Sequence, residues 1–556
     1  MSSRLAPALA LASALLAPAV PRAAHAQAAS APPPQPAATY DERYRPQYHF
    51  TPAVNWMNDP NGMVYYDGEY HLFYQHNPFG NTWGHMSWGH AVSPDLVHWQ
   101  HLPVAIPEAD GVMAFSGSAV VDWKNTSGFG QGGKPPLVAI FTGAREKVQA
   151  QYVAYSNDRG RTWTRFGGNP VLDIGSAEFR DPKVFWHAAT RRWVMVTVLA
   201  TEHRVRLYGS PDLKRWTALS DFGPAAATGG VWECPDLFEL PVDGNPRNTR
   251  WVLIVNINPG GIAGGSAGQY FVGRFDSARF VADDPVPRTA NPGAPGVRWA
   301  DYGKDLYASV SWSDAPQRPR TWLGWMNNWQ YANDIPTAPW RSAMSLPRAL
   351  ALATTPEGLR LTQQPVPELA RLRGARRQLG PQAVAPGTTS LAPQGIAGKA
   401  MEIAATFEVG PSVTAREFGL KVRAGQGEET VIGIDPRAGQ LVVDRTRSGK
   451  TDFHHDFSSR EAAPLPVENG RGPTRVVRLR VFVDWSSVEV FAGDGRVVVT
   501  DQIFPAPESD GVALYATGGT ARLVSLEAWP LASAWTAASG RPAARGAGRQ
   551  GAAGLR

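Results

Sequence analysis

Three acidic residues stand in segments whose neighbours constrain how a carboxylate is presented. They are Asp59 in Trp56-Met57-Asn58-Asp59-Pro60-Asn61-Gly62, Asp181 in Phe179-Arg180-Asp181-Pro182, and Glu233 in Trp232-Glu233-Cys234-Pro235-Asp236. Pro60 drives Asp59 out of the helical region and Asn61-Gly62 is a turn pair, so an extended presentation at a strand edge is expected. An arginine beside Asp181 favours the ionised carboxylate and offers donors to a hydroxylated ligand. Glu233 sits between an aromatic and a thiol, where desolvation would favour the neutral acid. One ionised and one protonated carboxylate are the minimum for hydrolysing a glycosidic bond with retention. A third acid can hydrogen-bond the sugar hydroxyls. Taken singly, each segment reads equally well as a surface turn. Cys234, the one cysteine of the chain, reads as a small buried hydrophobe rather than a nucleophile.

The elements that must position these acids are strands. Short β-rich runs bounded by Gly, Pro, Asn and Asp recur at Leu137–Thr142, Tyr152–Tyr155, Val184–Trp186, Trp193–Leu199, Val205–Tyr208, Trp251–Ile257, Gln269–Phe275 and Thr321–Met326. Ser93-Pro94-Asp95-Leu96-Val97-His98-Trp99 is echoed at 210–216, and more loosely at 156–163. Each is a polar turn closed by a tryptophan. The steps between those tryptophans, 99 to 163 and 163 to 216, suit one four-stranded blade each. The pattern predicts an all-β chain, with a five-bladed β-propeller over 40–356 and a C-terminal β-sandwich with its connector over 357–532. The alternating Val477–Asp484 and Val488–Phe491 runs, with the Gly493-Asp494-Gly495 turn, carry the second assignment.

The ends differ in composition. Arg4 precedes a Leu/Ala run and Ala24-His25-Ala26 is a cleavage pattern, so residues 1–26 are expected to be a secretory signal peptide. Residues 27–39 read as an Ala/Pro linker, and 533–556 as a disordered Gly/Ala/Arg tail. Arg4, Arg22, Arg541, Arg545, Arg549 and Arg556 account for the whole net charge of +6. The body is therefore balanced, which argues against a nucleic-acid partner. One cysteine excludes an intrachain disulfide framework and a multi-cysteine metal site. No run after the first 26 residues is long enough to span a bilayer.

Several motifs in order resemble glycoside hydrolase family 32, the β-fructosidases: Asn-Asp-Pro-Asn-Gly at 58–62, Phe-Ser-Gly-Ser at 115–118, Arg-Asp-Pro at 180–182 and Glu-Cys-Pro at 233–235. Gly324–Trp329, Trp340–Met344 and Phe482–Phe491 extend the resemblance over about residues 44–530. It implies a propeller with the site in its axial funnel, and a retaining mechanism. Asp59 would be the nucleophile, Glu233 the acid/base and Asp181 the transition-state stabiliser. Asn58, Gln75, Trp83, Phe115, Ser116, Arg180 and Trp325 would line the fructose pocket. Neither a metal nor another cofactor is implied. Two positions depart from the family's habit: Trp485, where Arg is more frequent, and Glu178 before Phe179, where Asp is frequent.

The Asn256–Gly261, Gly264–Ser266 and Gln269–Gly273 segments resemble the exo-acting levanase and exo-inulinase group. The expected activity is thus a secreted exo-β-fructosidase acting on terminal fructose of levan, inulin and sucrose, with no obligate protein partner. The rivals are a sucrose-restricted invertase, a fructosyltransferase, and a non-catalytic fructan-binding protein. A sialidase, suggested by the 156–163 turn, lacks an identifiable arginine triad.

Overall fold

Strands Asn55–Tyr66, Glu69–Asn77, Ser87–Ser93 and Gln100–Ile106 pair as antiparallel neighbours in chain order. This is how a computed structural model describes the chain, over residues 38–316, 319–470 and 475–535. The proposed signal peptide, nearly all of the linker and the tail beyond Trp535 lie outside the described residues. The same up-and-down order recurs from Met113–Val121 to Thr164–Arg165, from Phe179–His187 to Thr217–Phe222, and from Val231–Val242 to Phe280–Ala282. Tyr307–Ser311, Thr321–Met326, Arg348–Thr355 and Gly358–Pro365 follow, joined to the preceding group by the single bridge between Val242 and Leu352. The first strand of each group touches the first strand of the next, and Tyr307–Ser311 returns to Asn55–Tyr66, closing a ring.

Apolar side chains glue successive groups face to face, as the period-two alternation of the strands requires. Phe73 and Trp88 meet Ala119 and Phe141; Val120 and Val153 meet Val184 and Met195; Val196 and Leu207 meet Leu253 and Phe271. The three echoed turns all occupy the link between a group's third and fourth strands. In each, an aspartate oxygen caps the turn: Asp95 takes the amides of Val97 and His98, Asp158 that of Thr162, and Asp212 those of Lys214 and Arg215. The repeat is thus a turn device that returns in the first three groups.

Beyond Pro365, a 3-10 turn at Pro367–Leu372 leads into two sheets packed as a β-sandwich. Alternation along Arg475–Asp484 sends Val477, Leu479, Val481 and Val483 into the sandwich core, and Phe482 against Tyr48, Trp99 and Trp312 of the propeller side. Two boundaries and one turn differ from expectation. Gly358–Pro365 pairs along its whole length with Arg348–Thr355, so the first region ends after Pro365 and not at 356. Ala534 is buried with its amide on the Gln47 carbonyl, and the Trp535 indole donates to the Pro46 carbonyl, so the body continues through Trp535. Asn61-Gly62 is no turn but an irregularity inside the Asn55–Tyr66 strand. Gly62 is needed there, because its φ is +52° and a Cβ would stand 2.6 Å from Trp88.

Candidate active site

Each of the five ring-forming strands carries at least one extra residue relative to its neighbour, and Asn55–Tyr66 carries a second one between Asn61 and Val64. The slips fall between Met57 and Pro60, Ala114 and Gly117, Arg180 and Lys183, Glu233 and Asp236, and Tyr307 and Val310. A β-bulge of this kind turns a side chain that would alternate out of the channel back towards it. The bulged stretches contain Asn58 and Asp59, Phe115 and Ser116, Asp181, Cys234, and Ala308. Proline follows at 60, 182 and 235, where a missing N–H is cheap because the ladder is already interrupted. Asp181 and Cys234 sit at φ +63° and +44°, a left-handed conformation that costs a non-glycine residue about 1–2 kcal/mol. The backbone thus spends stability on aiming these two residues.

The carboxylates converge around Cys234. Its backbone N–H donates to Asp181 Oδ2 at 2.9 Å, and its thiol lies 3.5 Å from Asp59 Oδ2 and 3.7 Å from Asp181 Oδ2. Burial, then the adjacent acids, push the thiol far up, so it remains a protonated weak donor. Asp59 accepts the Ser116 hydroxyl at 2.6 Å on Oδ2, while its Oδ1 is buried without a protein partner. Burial raises the Asp59 carboxyl above the ordinary aspartate value; the Ser116 bond opposes that rise and the charge of Glu233 reinforces it.

Asp181 is raised to about 7, by burial first and by Glu233 and Asp59 as well, against the pull of Arg180. This corrects the expectation that Arg180 would hold it ionised. Arg180 Nε is 3.9 Å from Asp181 Oδ2, because its guanidinium is turned to Glu178 at 2.6 Å and Glu233 at 3.1 Å. Glu233 was expected in apolar surroundings; instead it is 21% exposed, faces Arg180 on Oε1 and takes the Tyr307 hydroxyl on Oε2.

The other residues singled out in the sequence gather around these acids. Asn58 Oδ1 accepts the Trp56 indole at 2.7 Å, and Gln75 Nε2 donates to the Ala114 carbonyl at 2.9 Å, beside Phe115. Trp83, 42% exposed, stands edge-on to Phe115 with ring centres 6.0 Å apart. Trp325 is fully buried against Trp56 and Tyr307, its indole nitrogen without a hydrogen-bond partner. The Gly-rich loop after Asn258 packs on the 328–329 segment through Asn328 to the Gly264 carbonyl and Trp329 to Ser266. Glu178, one of the two departures, holds Arg180; the other, Trp485, lies far off in the sandwich under Lys399. Sequence reasoning missed Tyr307, which no local motif flags, and Thr142, whose hydroxyl takes the Asp181 amide at 2.9 Å.

Residues 49–365 match the glycosyl hydrolases family 32 N-terminal domain, and residues 368–530 match the family's C-terminal region. The chain is 53% identical over 502 residues to a levanase of Bacillus subtilis, covering 89% of this chain and 72% of that protein. Among solved structures, the exo-inulinase of Aspergillus awamori superposes with a TM-score of 0.82 at 41% identity, over 89% of this chain and all of that one. A fructofuranosidase of Schwanniomyces occidentalis complexed with fructose gives a TM-score of 0.78 at 33% identity, over 89% and 99% of the two chains.

Proposed function

Since the chain belongs to glycoside hydrolase family 32, we propose that it is a retaining exo-β-fructosidase acting on fructans. Its substrates would be the terminal β-D-fructofuranosyl units of levan and inulin, and sucrose as a small substrate. The observation that carries this reading is the convergence of Asp59, Asp181 and Glu233 from three separate strands onto Cys234, in a chain whose relatives include a levanase and an exo-inulinase.

Chemically, the Asp59 carboxylate attacks the anomeric carbon of the fructosyl unit. The bond to the leaving oxygen breaks as the Glu233 proton passes to that oxygen. The fructosyl ester on Asp59 is then opened by water, whose proton goes to Glu233; fructose leaves, and both acids return to their starting states. Asp181, aimed by its left-handed backbone and held by the Cys234 amide, takes sugar hydroxyls in this scheme. Arg180 and Tyr307 hold Glu233 at two oxygens and fix its reach. Export is part of the proposal, supported by the extracellular exo-inulinase among the relatives. No helix among the described residues is long and apolar enough to cross a membrane.

The test is product analysis. Purified protein incubated with levan, inulin and sucrose should yield free fructose as the first product from each. Oligosaccharides as first products would remove the exo assignment, and action on sucrose alone would leave an invertase.

A further inference from the structure

A second cavity, of about 450 Å³, opens further along the same inner strands. On Phe179–His187, the first strand of the third group, Asp181 belongs to the acid cluster, whereas Phe185, four residues on and beyond the bulge, lines this cavity. Lys183 and Asp236 stand at its inner wall. The Lys183 ammonium donates to the Ser311 carbonyl and lies 3.5 Å from Asp236 Oδ2, so a buried ion pair closes the cavity's inner end. Asp236 Oδ1, fully buried, has no hydrogen-bond partner in the protein.

The remaining wall is aromatic. Trp123 is 61% exposed, more than any other large hydrophobic side chain among the described residues. It is not loose: its indole donates to Asp314 Oδ1 at 2.9 Å, which pins the ring at the rim. Trp186 and Trp251 line the wall behind it. A tryptophan fixed by a hydrogen bond yet left in water forfeits its burial energy unless a ligand covers it. Indole faces beside carboxylates suit a neutral ring with apolar C–H faces and many hydroxyls, whereas acids mixed with Lys124, which lies over the Trp186 ring, Lys183 and Arg320 offer no single sign of charge to a charged ligand. The volume is within the ~300–1,000 Å³ of small-ligand pockets.

We propose that this cavity is a second, non-catalytic carbohydrate site that holds fructosyl units of a polymeric substrate. It rests on the fructan reading above. By keeping a polymer attached away from the acids, it would raise the effective concentration of chain ends at the funnel. No bond is made or broken there.

The experiment uses the full chain and its Trp123→Ala, Trp123→Phe and Glu239→Ala variants. Mobility in native gels containing levan or inulin reads polymer binding, and kinetics on sucrose and polymer read catalysis. Trp123→Ala should weaken polymer retention at least ~5-fold and raise the polymer KM by a similar factor, with sucrose kcat/KM within about twofold. Trp123→Phe should keep most of the retention, and Glu239→Ala, which removes a carboxylate that also lines the cavity, should weaken it in the same direction. If wild type hydrolyses fructan and all three variants match it in retention and polymer KM, the second site is wrong while the functional reading stands. Equal losses on sucrose and polymer would also overturn the site. A wild type that releases no fructose from levan, inulin or sucrose overturns both.

Discussion

Two buried carboxylates, each beside an arginine, behave in opposite ways. Glu489, where the sandwich meets the propeller, accepts Arg348 Nη2 at 2.6 Å, His49 Nε2 at 3.0 Å and the Leu346 amide at 2.7 Å. Burial would raise it, yet Arg348 first and His49 next hold it below the ordinary glutamate range. His49 faces carboxylates on both ring nitrogens, Asp484 at 2.8 Å and Glu489, a pattern only the imidazolium satisfies. Burial opposes that charge, but the two acids lift His49 to about 9. Asp181 in the funnel has its arginine turned aside and two more acids near, and it rises to about 7. The chain thus pairs this buried charge at its structural joint and leaves charge under-paired at the proposed sugar site.

The sharpest way to break this contrast is to show that rate and stability are not separable. Asp59→Ala is expected to leave a folded protein whose kcat falls at least ~10³-fold, about 4 kcal/mol of barrier. Circular dichroism and turnover on sucrose check both halves, and a near-normal rate would end the nucleophile assignment. Arg348→Met should do the reverse. It strips the cation from Glu489 and from Asp301, 3.0 Å away, and should cost about 3–4 kcal/mol of stability. Its kcat on sucrose, measured well below the melting transition, should stay within a few-fold; a loss comparable to that of Asp59→Ala would erase the distinction.

A third, smaller effect follows from Asp181. Its folded value is raised, so the native state holds a proton that the unfolded chain releases near pH 4. Stability from this group is therefore full below about pH 4 and is lost as pH rises towards about 7. Asp181→Asn removes that ionisation and should raise the melting temperature by a few degrees at pH 8, with little change at pH 4, while activity is lost. Thermal scans at the two pH values check it, and equal shifts at both would mean that the carboxyl is not raised.

How much of this could be seen in the chain beforehand depends on where the information lay. The strands, the tryptophan-closed turns and the acids announce themselves locally, through alternation and through proline next to a carboxylate. What surrounds each acid does not. Arg180 adjoins Asp181 in sequence but serves Glu178 and Glu233 in space, because the bulge at 180–183 rotates neighbouring side chains apart. Tyr307 reaches Glu233 from 74 residues away, on a strand with no motif of its own. Asn61-Gly62 misled for a related reason: a turn pair and a bulge ask for the same positive φ, and only the partner strand decides between them.

Ser116 offers the finest adjustment of the contrast. Its hydroxyl is the largest influence acting to lower Asp59, opposing burial and the charge of Glu233. Ser116→Ala removes that donor without adding bulk, so Asp59 must rise further and lose its charge at a higher pH. If Asp59 must be ionised to attack, the acidic limb of the kcat/KM profile should move to higher pH, the direction expected when a charge-assisted hydrogen bond to the carboxylate is lost. At the plateau, where Asp59 is ionised in both proteins, the rate should fall only a few-fold. The complementary Arg348→Met change should leave that limb in place, since its charges lie at the domain joint. An acidic limb that stays put in Ser116→Ala and moves in Arg348→Met would mean that the limb reports unfolding and not the funnel.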